Sequence, residues 1–153
     1  MPADFLDTSA LAKHYHIEIG SAQIDQLWND SSRGLFISRL AALEMVSVFA
    51  GKVRADVISA DDFDALRKRF AADLSKTKRL TSVRLLVAHF QEAERLLRAH
   101  GLQNRLRTLD ALQLAVALDL HRRQAIDRLV AADRELLAVA AQEGLAILDP
   151  EKP

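Results

Sequence analysis

The stretch ADFLDTSALAKHY, residues 3–15, decides the fold. Its apolar lead-in reads as a short strand over residues 3–6 and breaks off at Asp7. Helical spacing follows at Ala10, Leu11 and His14, with Thr8 or Ser9 available as a cap. Asp7 therefore stands at the seam between a buried strand and a helix. A carboxylate is costly to dehydrate, so this position requires either a hydrogen-bonding turn or a cation.

The same alternation returns along the chain. Gly34 opens a second strand in LFIS, DRLVAAD reads as a buried strand, and LAILDP is a last strand stopped by Pro150. Between them lie a helix starting with its own cap at Ser21 and a helix over residues 39–52 that is apolar nearly all round. An amphipathic helix begins at Ser59 and carries Phe63, Leu66, Phe70 and Leu74 on one side. A further helix ends at Gly101, RTLDALQLAVALDL forms a second nearly all-apolar one, and RELLAVAAQEG closes at Gly144. RLTSVRLLV holds a turn or a short strand. The order β, α, α, β, α, α, α, α, β, α, β, with short apolar strands set apart by helices, predicts an α/β protein. Its expected form is a three-layer α/β/α domain with a short central parallel sheet and right-handed crossovers. In such folds ligands gather beyond the carboxyl ends of the strands.

A length of 153 residues, half of them apolar, suits a single domain over residues 1–153. Lysines and arginines number 21, as do aspartates and glutamates, so attraction to a polyanion has to come from a local patch. The absence of cysteine excludes disulfides, thiolate nucleophiles and cysteine-ligated zinc. No apolar run approaches the ~20 residues of a membrane span, and the start MPADFLD lacks the pattern of a secretory signal, so a cytoplasmic protein is expected.

Four acids sit where acids are expensive. Asp7 follows the first strand and Asp133 follows RLVAA at the start of a helix, both on the edge where ligands gather. Glu44 and Asp110 each lie inside a helix that otherwise looks like core. Neither is read as having a basic residue three or four positions away on its own helix face. Four such carboxylates converging would repel one another, and a hard divalent cation with oxygen ligands removes the conflict. With a phosphodiester added, that arrangement supports hydrolysis.

FLDTSALAKHY, ISRLAALEMVSVFA, LRTLDALQLAVAL and LVAADRELLAVAAQEGLAILDP, in this order and spacing, resemble the PIN-domain ribonucleases of the VapC toxin class, from Phe5 to Pro150. The resemblance implies that Asp7, Glu44, Asp110 and Asp133 are the catalytic acids that hold Mg²⁺ or Mn²⁺, with Thr8 and Ser9 shaping the first loop. It also implies endonucleolytic cleavage of RNA, a homodimer with exposed apolar residues of the 60–100 region at its contact, and an antitoxin partner of a toxin–antitoxin pair. Two positions depart from the family pattern. Ala131 and Ala132 stand where a hydroxyl residue often precedes the fourth acid, and Gln113 stands where histidine is frequent, so a contact behind the acids is expected to be missing.

Plainer readings exist for each residue. Asp7 and Asp133 suit turn or cap roles, and Glu44 and Asp110 could pair with buried arginines such as Arg39 or Arg107. Asp4, Asp119, Asp127 and Asp149 read as structural. His14 and His16 read as surface residues, and the basic residues of the 67–84 region as a solvated face rather than an RNA groove. As alternatives to the toxin, the sequence admits a non-catalytic PIN-like module that binds RNA or an antitoxin, and a housekeeping RNA-processing nuclease.

Overall fold

The computed structural model describes residues 1–152, which form five strands and seven helices. In chain order these are β1 (Ala3–Leu6), α1 (Thr8–Tyr15), α2 (Ser21–Asn29), β2 (Gly34–Ser38), α3 (Arg39–Arg54), α4 (Ala60–Ser75), β3 (Leu80–Val83), α5 (Val87–His100), α6 (Thr108–Arg122), β4 (Arg128–Val130), α7 (Arg134–Gln142) and β5 (Ala146–Leu148). The strands make one parallel sheet in the order β3-β2-β1-β4-β5.

Alternation along the strands divides the core in two. Ala3, Phe5, Leu129 and Ala131 face α5, α6 and α7. Leu6, Leu35, Ile37 and Val130 face α1 to α4 on the other side. The expected three-layer α/β/α class is therefore the one observed. The strand order reverses direction at β1 and β4, and their carboxyl ends open the crevice in which α/β proteins place their ligands.

Three local expectations are corrected, and a fourth, open between a turn and a strand, is decided. RLTSV is a true strand, β3, paired with β2 at the sheet edge. Helix α3 buries only the stripe Ala41, Met45 and Phe49 and leaves Leu43 exposed, so it is not buried all round. Helix α6 is buried as predicted, from Asp110 to Leu118. Helix α2 is entered through Gly20 at φ 90°, whose position leaves only 3.0 Å between an added Cβ and the Pro150 carbonyl oxygen. Ser21, expected as the cap, instead donates from Oγ to the Lys13 carbonyl at 2.7 Å and accepts from the Glu18 N–H at 2.9 Å. His14 is not a surface residue: it stacks on Trp28 with centroids 3.8 Å apart and bonds Asp25 through Nδ1 at 2.7 Å.

Candidate active site

Asp7 leaves the carboxyl end of β1 and is itself the N-cap of α1, the role expected of Thr8 or Ser9. Its Oδ2 accepts from the Ser9 N–H at 3.1 Å and the Ser9 hydroxyl at 2.6 Å. The Asp7 N–H donates to the Val130 carbonyl at 3.0 Å, so the pairing of β1 with β4 continues to the acid itself. Both side-chain hydrogen bonds end on Oδ2, and no buried side-chain oxygen among the described residues lacks a partner, so Oδ1 keeps contact with solvent. The residue is 5% exposed. Burial pushes its carboxyl up to about 6; the like charges of Asp110 and Glu44 add to this, and the two bonds from Ser9 oppose it.

Glu44 projects from the second turn of α3. Its Oε1 accepts from the Gln113 amide at 2.8 Å. Gln113 also donates to the Thr8 hydroxyl at 3.1 Å and accepts from the Ser38 hydroxyl at 2.7 Å. One amide thus joins the start of α1, the end of β2 and α3 through α6. The contact expected to be missing at Gln113 is present. Similarly, the Ser9 hydroxyl accepts from the Ala132 N–H at 3.0 Å, bringing a hydroxyl to the loop after β4 from the β1 side. Dehydration raises the Glu44 carboxyl, assisted by the charge of Asp110 and opposed by Gln113.

Asp110 lies in the first turn of α6 and is buried. Burial and the charge of Asp133 raise its carboxyl, while Arg107 lowers it. The expectation that Asp110 has no same-face base is wrong: Arg107, three residues earlier, donates from Nε to Asp110 Oδ2 at 3.2 Å. Arg107 is also not the buried arginine considered as a partner, since its side chain is 73% exposed. Asp133 caps α7, with Oδ1 accepting from the Glu135 and Leu136 N–H groups at 3.0 and 3.2 Å. Its Oδ2 lies 3.8 Å from Arg107 Nη2.

The four acids therefore occupy one end of the sheet and act on one another's charge, but with unequal company. Asp110 and Asp133 share Arg107, whereas no arginine or lysine among the described residues pairs with Asp7 or Glu44. As placed, no three His, Asp or Glu side chains among the described residues stand close enough together to hold one ion. The donor chemistry still fits a hard divalent cation, because every candidate ligand is a carboxylate oxygen and Oδ1 of Asp7 takes neither of the Ser9 bonds. Other acids are structural as expected: buried Asp4 is bonded by Arg33 at 3.0 Å and Arg128 at 2.7 Å. Ser38 is absent from the sequence reading of the site, which has Gln113 only as a position lacking the contact that it in fact makes. The available signal for Gln113 is a lone amide three positions after Asp110 on a nearly all-apolar helix.

The sequence pattern of the PIN domain matches residues 5–142. No curated protein matches the sequence. Among solved structures, the chain is similar to VapC20 of Mycobacterium tuberculosis, a sarcin-ricin loop cleaving toxin, with 18% identity, a TM-score of 0.64, and coverage of 88% of this chain and 93% of that one. A toxin–antitoxin complex from Klebsiella pneumoniae aligns at 16% identity and TM-score 0.61 over 96% and 97% of the two chains. FitAcB from Neisseria gonorrhoeae aligns at 14% and 0.65 over 98% and 99%. At these identities the likeness carries the fold alone. With the family pattern running from the first strand through the last helix, and every strand in the sheet parallel, the chain belongs to the PIN-domain family.

Proposed function

We propose that this protein is a metal-dependent endoribonuclease and the toxin of a toxin–antitoxin pair. The observation that carries this reading is the placement of Asp7 and Glu44. Two carboxylates without a basic partner, one of them buried, share the carboxyl end of the central strands with Asp110 and act on its charge. Such an arrangement is unfavourable in itself and becomes favourable with a cation.

Asp7, Glu44 and Asp110 would hold Mg²⁺ or Mn²⁺, with Asp133 completing the set. When bound, the ion polarises the phosphodiester and lowers the pKa of an attacking water. The chain's own residues do the positioning. Ser9 fixes Asp7 through Oδ2, Gln113 holds Glu44 through Oε1, and α7 locks Asp133 through its own N-terminal amides. Beside them, Arg105, Arg107, Asp133 and Glu135 line a cavity of about 320 Å³, where the two guanidiniums suit an RNA phosphate.

The similar structures, one a sarcin-ricin loop cleaving toxin and another a toxin–antitoxin complex, support the substrate class and the antitoxin partner. Exposed Leu86, Val87 and Phe90 in and beside α5, together with Leu43 of α3, suit a homodimer contact. No helix among the described residues is long and apolar enough to cross a membrane, and a cytoplasmic site of action is part of the proposal. We take residues 1–153 as one PIN domain.

A second reading, a PIN-like module that binds RNA or an antitoxin without turnover, is favoured by one observation: the acids as placed form no ready three-ligand site. One assay separates the two. The purified chain incubated with a structured RNA and Mg²⁺ or Mn²⁺ is expected to yield discrete fragments. Chelation by EDTA and the Asp7→Asn substitution should each abolish them. Intact RNA at saturating Mn²⁺ would favour the binding module, and undiminished cleavage by a folded Asp7→Asn protein would overturn the acid-site reading.

A further inference from the structure

Arg107 stands where the two readings diverge. It precedes the first turn of α6 at the N-cap position without capping that helix by its side chain. Its guanidinium instead crosses the mouth of the acidic site, donating to Asp110 at 3.2 Å and lying 3.8 Å from Asp133. These two acids belong to different elements, and the guanidinium is the only group that touches both among the described residues. Its positive charge is felt as far as Glu44 and Asp7. Yet the side chain is 73% exposed, so nothing packs it in place and a swing toward solvent costs little.

We propose that Arg107 is a built-in competitor for the divalent cation. In the metal-free protein it serves as the counter-charge of Asp110 and Asp133, and it must release Asp110 before an ion can be held. This inference rests on the metal-site reading above and adds a residue to it. The guanidinium already occupies one carboxylate oxygen of Asp110, Oδ2, and offsets negative charge that an ion would otherwise meet. The freed arginine also has a place, since it lines the same cavity as Arg105, beside the position of an RNA phosphate.

The test is calorimetric titration of Mn²⁺ into the full chain, the Arg107→Gln variant and the Arg105→Gln variant, with no RNA present. Arg105 lines the same cavity and carries the same charge but forms no ion pair with the acids, so it controls for the general field. Arg107→Gln is expected to bind Mn²⁺ about three- to fivefold more tightly than the unaltered chain, the upper part of the range set by losing an exposed competing ion pair. Arg105→Gln is expected to stay within about twofold. Equal affinity in all three proteins would overturn the competitor role and leave the metal site standing. An equal gain in both variants would overturn it in favour of a field effect. No Mn²⁺ uptake by any of them would overturn the metal-site reading and the inference with it.

Discussion

Burial lifts the Asp7 carboxyl from 3.8 to about 6, and that displacement makes the residue a cost to the metal-free fold at neutral pH. Its folded value lies above its unfolded one. Its contribution to stability is therefore present in full below 3.8 and is lost as pH rises through about 6. Asn at this position keeps an acceptor for Ser9 and offers an amide toward Asp110 and Glu44. Asp7→Asn is therefore expected to be more stable than the unaltered chain in EDTA at pH 7.5, by about 2 kcal/mol or roughly 5 °C in Tm. The difference should shrink toward zero as pH falls to 4. Thermal melts across that range check it, and a variant that is less stable at pH 7.5 would show that Asp7 is a structural cap only. Asp7 was legible in the sequence because a carboxylate at the end of an apolar strand is conspicuous. The bonding role of Gln113 was not, because an amide carries no charge whose cost needs explaining, and its position stood out only as a departure from the family pattern. Its importance comes from three partners, Ser38, Thr8 and Glu44, that meet only after folding.

At the scale of elements, periodicity gave the helices and the central strands but misjudged the edges. β3 is hard to read because only Leu80 of its four residues is buried; an edge strand has one covered neighbour and little need for apolar alternation. The apolar composition of α3 suggests burial all round, whereas Leu43 sits on an outer face. Arg79, counted with the basic surface run, is an anchor. Its guanidinium donates to the carbonyls of Leu27, Trp28, Asp30 and Arg33 at 2.7 to 3.0 Å, satisfying the open end of α2 and the approach to β2. An ammonium cannot reach four acceptors spread over a planar fork. Arg79→Lys is expected to destabilise the fold by about 2 kcal/mol. Urea denaturation measures this, and a change under about 0.5 kcal/mol would place Arg79 back among ordinary surface charges.

Across the whole molecule, the sheet order β3-β2-β1-β4-β5 explains why acids from residues 7, 44, 110 and 133 lie at one end of the sheet. β1 and β4 are neighbours at the reversal of strand order, so the loops that follow them, carrying Asp7 and Asp133, open on the same side. Helices α3 and α6 cover opposite faces and deliver Glu44 and Asp110 from either flank. A net charge of zero gives no hint of this, because the segregation of charge is local. What the sequence leaves open is how the acids are partnered, since the positions of Arg107 and Gln113 decide it.

The central claim is that Asp7, Glu44 and Asp110 jointly hold a divalent ion. It is tested most directly by crystals grown with Mn²⁺ and measured for anomalous scattering. A peak bonded to Asp7 Oδ1 and to oxygens of Glu44 and Asp110, with Arg107 turned away from Asp110, is the expected result. Saturating Mn²⁺ that leaves no peak among these oxygens, with Arg107 still on Asp110, would contradict it.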